Sequence, residues 1–194
     1  KTLFPYTTLF RSAPLLLGAA EPSYRYLLDP ARSVISAKVG FFGIASKTAH
    51  FPQMSGRIAL SPHRLDSIDL DVVIDARRIT AGDAVTLSRL KSKDFFNVAD
   101  FPTARFYGDK LEFNGDKVTA VIGELTLMGK THPVTLRALR FNCYQSPMLK
   151  RQICGGGFET TVARSQWGLV WGLNFGFEDN VRLVIQVEAI NLGN

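Results

Sequence analysis

From Tyr24 onward the chain alternates apolar and polar residues with a period of two, the pattern of strands that bury one face. Over residues 67–76, Ile68, Leu70, Val72 and Ile74 point one way, and Asp69, Asp71, Val73 and Asp75 the other. The C-terminal run repeats this: Val181, Leu183, Ile185, Val187 and Ala189 alternate with Arg182, Val184, Gln186, Glu188 and Ile190. Further strand-like runs cover 33–43, 46–60, 103–114, 117–128, 132–144 and 152–163. Asn114-Gly115-Asp116 and Met128-Gly129-Lys130 supply turn residues between them. One stretch breaks the pattern. Thr80 and Asp83 are spaced like a capping box, and residues 84–93 are helix formers without Gly or Pro, which predicts a helix over about 81–93. Many antiparallel strands with a single helix define an all-β chain, an antiparallel barrel of about eight strands with one inserted α-helix. A barrel of that size can hold one small ligand.

The first twenty residues do not share the pattern. KTLFPYTTLFRS, residues 1–12, resembles translated sequencing-adapter read-through, and Ala13-Pro14-Leu15-Leu16-Leu17-Gly18-Ala19-Ala20 resembles the end of a secretory leader with small residues at a cleavage site. The expected organisation is a non-domain segment 1–20 and a single domain over 21–194, beginning near Glu21 and exported, with the periplasm as the expected compartment. No segment reaches the 18 or more apolar residues of a membrane-spanning helix.

Charge and candidate chemistry narrow the function further. The net charge of +6 comes without a basic run; only Arg77-Arg78 and Lys150-Arg151 are dense, so nucleic acid is not the expected partner. The excess instead suits transient contact with a membrane surface. His50, His63 and His132 show no i, i+4 pair and no H-E-x-x-H, and the aspartates at 69, 71 and 75 are the outward positions of one strand. No metal site is expected. There is no G-x-S-x-G, and Gly155-Gly156-Gly157 lacks the Lys-Ser/Thr of a phosphate loop, which predicts a bulge or bend. An enzyme working inside the barrel would have to use Arg164 or an aspartate as its polar group; the expectation is a binding protein. Cys143 and Cys154 flank a short connection between two strand-like runs, so a hairpin would bring them together as a disulfide; two buried free thiols are the alternative. The 14 Phe exceed the 5 Tyr and 2 Trp combined, more aromatic filler than a small barrel needs.

Four blocks resemble the YceI-like, polyisoprenoid-binding family, in order from about Tyr24 to Leu192. They are Tyr26-Leu27-Leu28-Asp29-Pro30 followed by Ser33; Leu90-Lys91-Ser92-Lys93-Asp94-Phe95-Phe96-Asn97 leading to Phe101-Pro102; residues 123–134, Gly123-Glu124-Leu125 through His132-Pro133-Val134; and Arg164-Ser165-Gln166-Trp167-Gly168 with the closing 181–189 strand. The resemblance implies an extended lipocalin-like barrel, usually exported, that binds isoprenoid-tailed amphiphiles of the quinone or polyprenyl type. Other amphiphiles, such as fatty acids or amides, are the alternative cargo. No cofactor is implied beyond the bound lipid. Arg32 and Gly40 stand where the family often carries His, so no ligand contact is carried over there. The expected channel lining is Phe41, Leu90, Phe95, Phe96, Phe101, Phe106 and Trp167, with Phe95 and Phe96 straddling a rim at the end of the helix.

Overall fold

The computed structural model describes residues 24–61 and 64–193; the adapter-like stretch, the leader-like tail and His63 lie outside the described residues. Eleven strands are seen: β1 (Tyr24–Leu28), β2 (Val34–Phe41), β3 (Ala45–Phe51), β4 (Met54–Ser61), β5 (Arg64–Asp75), β6 (Thr80–Ala81), β7 (Thr103–Asn114), β8 (Lys117–Leu127), β9 (Lys130–Gln145), β10 (Gln152–Ala163) and β11 (Phe177–Asn191). Among the described residues a single α-helix, α1 (Ala84–Lys91), lies between β6 and β7. No helix among the described residues is long and apolar enough to cross a membrane.

Every ladder is antiparallel, in the order β1-β4-β5-β7-β8-β9-β10-β11, and β1 pairs with β11 to close the ring at eight strands. Closure removes the edges of the eight-strand ring; beyond it β2 and β3 run on from β11, and β3 has only the short β6 beside it. β2 continues the line of β1 along β11, and β3 continues the line of β4. The breaks fall at prolines, which cannot donate to a ladder. Pro30 opens a short 3-10 turn whose N-cap Asp29 accepts from the Ala31 amide at 3.0 Å. Pro52 divides the single run expected over 46–60 into β3 and β4.

The alternation is realised on both sides of the wall. Ile68, Leu70, Val72 and Ile74 are all buried in the core, whereas Asp71 and Asp75 face out and pair with Arg105 and Arg77. The connection from β8 to β9 is a two-residue turn flanked by the Leu127–Lys130 pair. Met128 and Gly129 there take φ of 51° and 73°, the left-handed values that a tight hairpin requires. The triple glycine lies in β10, where the register against β9 shifts between Gly157 and Phe158. A β-carbon on Gly156 would meet the Arg140 carbonyl at 2.1 Å, so neighbouring backbone occupies the space a side chain would need.

The helix begins later than the capping-box spacing suggested. Thr80 is in strand, bridging β6 to His50 of β3, and Asp83 is the N-cap instead. Its carboxylate accepts from the Thr86 amide at 2.8 Å and the Thr86 hydroxyl at 2.7 Å. The Ser92 amide and hydroxyl both return to the Arg89 carbonyl, ending the helix at Lys91 rather than 93. Leu87 and Leu90 pack against the core from α1, which stands where β3 has only the two-residue β6 as its outer neighbour.

Candidate functional site

An apolar cavity of about 520 Å³ runs through the barrel, within the range of small-molecule sites. Its wall takes residues from all the long strands. At one end, next to α1, it meets Lys47 and Thr48 of β3, Val85, Thr86 and Arg89 of α1, and Trp171. At the other it reaches Tyr26 and the Cys143–Cys154 pair. Val181, Leu183, Ile185, Val187 and Ala189, the inward positions of β11, all belong to the lining.

Of the seven expected lining residues, Leu90, Phe95, Phe96, Phe106 and Trp167 are on the cavity wall. Phe41 and Phe101 are not. Phe41 stacks with Phe42 and Phe177, at ring separations of 4.7 and 4.5 Å, at the edge of the hairpin joining β2 to β3. Phe101 is partly exposed, beside the β8–β9 turn where a β-carbon on Gly129 would meet its ring at 3.5 Å. Both are at ends of the barrel where aromatic content alone does not distinguish wall from rim.

Phe95 and Phe96 divide the work of the segment after α1. Phe96 is buried and meets Phe51 edge-to-face at 5.6 Å and Phe95 at 5.0 Å. Phe95 is half-buried and has the Arg164 guanidinium 5.8 Å from its ring centre. Truncating Phe96 to Ala should therefore cost about 3–5 kcal/mol of stability, as for other buried phenylalanines. Truncating Phe95 should cost clearly less. Thermal or urea melts of the two variants check this, and equal losses would refute the division.

The turn after β10 is built around Arg164 and Trp167. Trp167 is 1% exposed, and its indole N–H donates to the Leu125 carbonyl at 3.1 Å. His132 stands edge-on to it at 5.0 Å, with its Nε2 3.0 Å from the Gln166 carbonyl oxygen. Gly168, at φ 84°, caps the 3-10 turn in the left-handed region where Gly is at ease. Arg164 is 4% exposed. Its Nε donates to the Glu178 carbonyl at 3.0 Å, and Nη1 donates to those of Leu169 and Trp171 at 2.6 and 2.8 Å. Nη2 is buried without a partner.

Asp179 holds this turn from β11, accepting from the Ser165 amide at 2.8 Å and hydroxyl at 2.7 Å. The Ser165 hydrogen bonds, led by the hydroxyl, keep its carboxyl below the ordinary aspartate value. A carboxyl depressed on folding adds stability above its unfolded pKa, near 4, and the contribution is lost as pH falls through the lower folded value. Asp179→Asn should therefore lower stability at pH 7 and flatten the acid limb of the stability–pH curve below about pH 4. Parallel acid titrations of the two proteins would show it; superimposable curves would refute it.

Sequence reasoning missed most of the aliphatic wall, because inward Val, Leu and Ile look the same whether they face a cavity or a packed centre. The cysteine pair is bonded: Cys143 and Cys154 face each other across β9 and β10 with Cα atoms 4.1 Å apart. The outward aspartates do not reach the cavity. Among the described residues no three His, Cys, Asp or Glu side chains gather as a metal site would require.

An elongated antiparallel barrel enclosing a through-running apolar cavity, with one helix at its end, defines a class of small-ligand-binding barrels. Within it, the chain belongs to the family of the YceI-like domain, which matches residues 26–189. A UPF0312 protein of Vibrio vulnificus (strain YJ016) is 29% identical over 141 residues, covering 72% of each chain. Another, from Shewanella sp. (strain MR-7), is 25% identical over 93% of each chain. Among solved structures, BcnA of Burkholderia cenocepacia superposes with a TM-score of 0.68 at 21% identity, over 83% of this chain and 98% of that one. A polyisoprenoid binding domain from Saccharophagus degradans does so with a TM-score of 0.61 at 16% identity, over 86% and 98%.

Proposed function

We propose that this protein is an exported carrier that holds an isoprenoid-tailed amphiphile, of the quinone or polyprenyl type, inside its barrel. The observation that carries the reading is the 520 Å³ cavity, whose wall is aliphatic and aromatic over nearly all its length. Each five-carbon isoprene unit moved from water into such a wall contributes roughly 3–4 kcal/mol gross, before ordering costs. A tail of several units thus binds tightly without directional contacts. The Saccharophagus degradans neighbour is described as a polyisoprenoid binding domain, and its shared fold supports the same cargo here. Export is supported by the Cys143–Cys154 disulfide, a bond that persists in oxidising compartments.

Mass spectrometry of organic extracts from gently purified protein tests the reading. A co-purifying prenyl lipid is the expected result. A fatty acid or amide instead would assign the barrel to other amphiphiles, and an empty barrel that also ignores added prenyl lipid would overturn lipid carriage altogether.

A further inference from the structure

Charge on the cavity wall is one-sided. Among the described residues that line it, the ionisable groups charged at neutral pH are Lys47, Arg89 and Arg164, all at the α1 end; no Asp or Glu belongs to the wall. Lys47 and Arg89 are exposed and have acids on their solvent side: Arg89 pairs with Asp94 at 2.6 Å, and Lys47 lies near Asp83. Arg164 differs from both. It is deeply buried, and each of its hydrogen bonds ends on a neutral backbone carbonyl. Asp179, the acid whose charge acts on it, spends its hydrogen bonds on Ser165. One guanidinium nitrogen, Nη2, has no acceptor at all. A buried cation without a carboxylate, and with a donor to spare, is costly unless something of opposite charge completes it.

We infer that the amphiphile carries an anionic oxygen headgroup, a carboxylate or a phosphate, seated at the α1 end against Arg164, with its tail running toward the disulfide. This deepens the carrier reading and rests on it. The guanidinium offers donors but no acceptor, so it selects oxygen acceptors over hydroxyl-free tails, and its charge selects anions among them. Burial lowers the Arg164 pKa from its ordinary value, opposed by the Asp179 charge; a bound anion would act in the same direction as Asp179. Lys47 and Arg89 at the rim already have Asp83 and Asp94 beside them, which leaves Arg164 as the unpaired cation among the described wall residues.

Matched ligands decide the matter. Binding of geranylgeranyl phosphate and geranylgeraniol, and of palmitate and hexadecanol, would be measured on the whole chain by displacement of a fluorescent lipid. Each anion should bind at least about tenfold more tightly than its alcohol, the scale of one hydrogen bond to a charged group. Which of the two anions binds better separates a prenyl phosphate from a fatty carboxylate. Arg164→Gln should erase most of that preference while leaving alcohol binding in place. Because Arg164 also ties three carbonyls, this variant is first checked by thermal melt. If it does not fold, the Lys47→Gln/Arg89→Gln variant decides: it should keep most of the preference, and losing all of it would move the seat to the rim and overturn the assignment to Arg164. Equal binding of anion and alcohol by the parent would overturn the headgroup inference while leaving lipid carriage standing. Failure of all four ligands would overturn lipid carriage itself.

Discussion

Trp167→Ala should be among the most destabilising single substitutions in this barrel, with an expected loss of about 3–5 kcal/mol. The indole is the largest fully buried side chain, and it belongs both to the core cluster and to the cavity wall. Its removal deletes apolar contact and leaves the Leu125 carbonyl, which accepts from Nε1 at 3.1 Å, without that donor. For a domain of this size each kcal/mol moves the melting temperature by roughly 2–4 °C, so a fall of about 6–20 °C is expected. A control separates packing from the lost hydrogen bond. Trp167→Phe removes the donor but keeps one aromatic ring and so less of the packing is lost, and it should recover about half of the loss. Melts of the three proteins under identical lipid loading are required, because a ligand that binds only the folded state raises the midpoint by mass action. A Trp167→Ala protein melting within a degree or two of the parent would mean that the turn after β10 does not hold the wall in place.

Much of the barrel was legible from period-two alternation, because a closed sheet with one dry face leaves its trace on every strand. The inward sets on β5 and β11 are the clearest cases, and both line the cavity as patterned. What escaped had local causes. The run over 46–60 hid a division at Pro52, since the residues on either side are equally strand-like. The helix start was displaced by three residues because Thr80 and Asp83 both suit a cap, and only the pairing of Thr80 with His50 decides between them. The cavity was harder. Phe counts pointed to a lined channel, and Leu90, Phe95, Phe96, Phe106 and Trp167 reach the wall while Phe41 and Phe101 do not. Phe51, Phe141, Phe158, Trp171 and Phe177 line it as well, and period-two patterning alone does not separate them from core filler. Arg164 was visible in sequence as part of a family block and as the polar group an enzyme inside the barrel would need, not as a buried cation. Its burial, its three carbonyl partners and its spare nitrogen come from the long return between β10 and β11, which no periodicity encodes.

Reduction of the Cys143–Cys154 bond should lower stability without emptying the barrel. The two cysteines are directly opposed partners close to the β9–β10 connection, 11 residues apart in sequence. The connection between these strands is already tied in the folded state. The Ser146 amide donates to the Arg151 carbonyl at 2.9 Å, the Lys150 amide to the Ser146 carbonyl at 2.9 Å, and the Leu149 amide to the Ser146 hydroxyl at 3.2 Å. Little native geometry therefore depends on the bond, and its effect falls chiefly on the unfolded chain. Closing a loop of this length is worth about 3 kcal/mol on the chain-entropy estimate, which corresponds to a fall in melting temperature of roughly 6–12 °C on reduction. Cys143→Ser/Cys154→Ser should reproduce that fall and be indifferent to reductant, whereas the parent should respond to it. Free-thiol titration of denatured, unreduced parent protein should find neither cysteine available. Lipid retention is expected to persist in the double variant, because the positive end of the cavity, where Arg164 stands, is at the other extremity of the barrel. Two reactive thiols in the parent, or melts that ignore reductant, would show that the pair does not crosslink the protein in solution and would remove the main physical support for export.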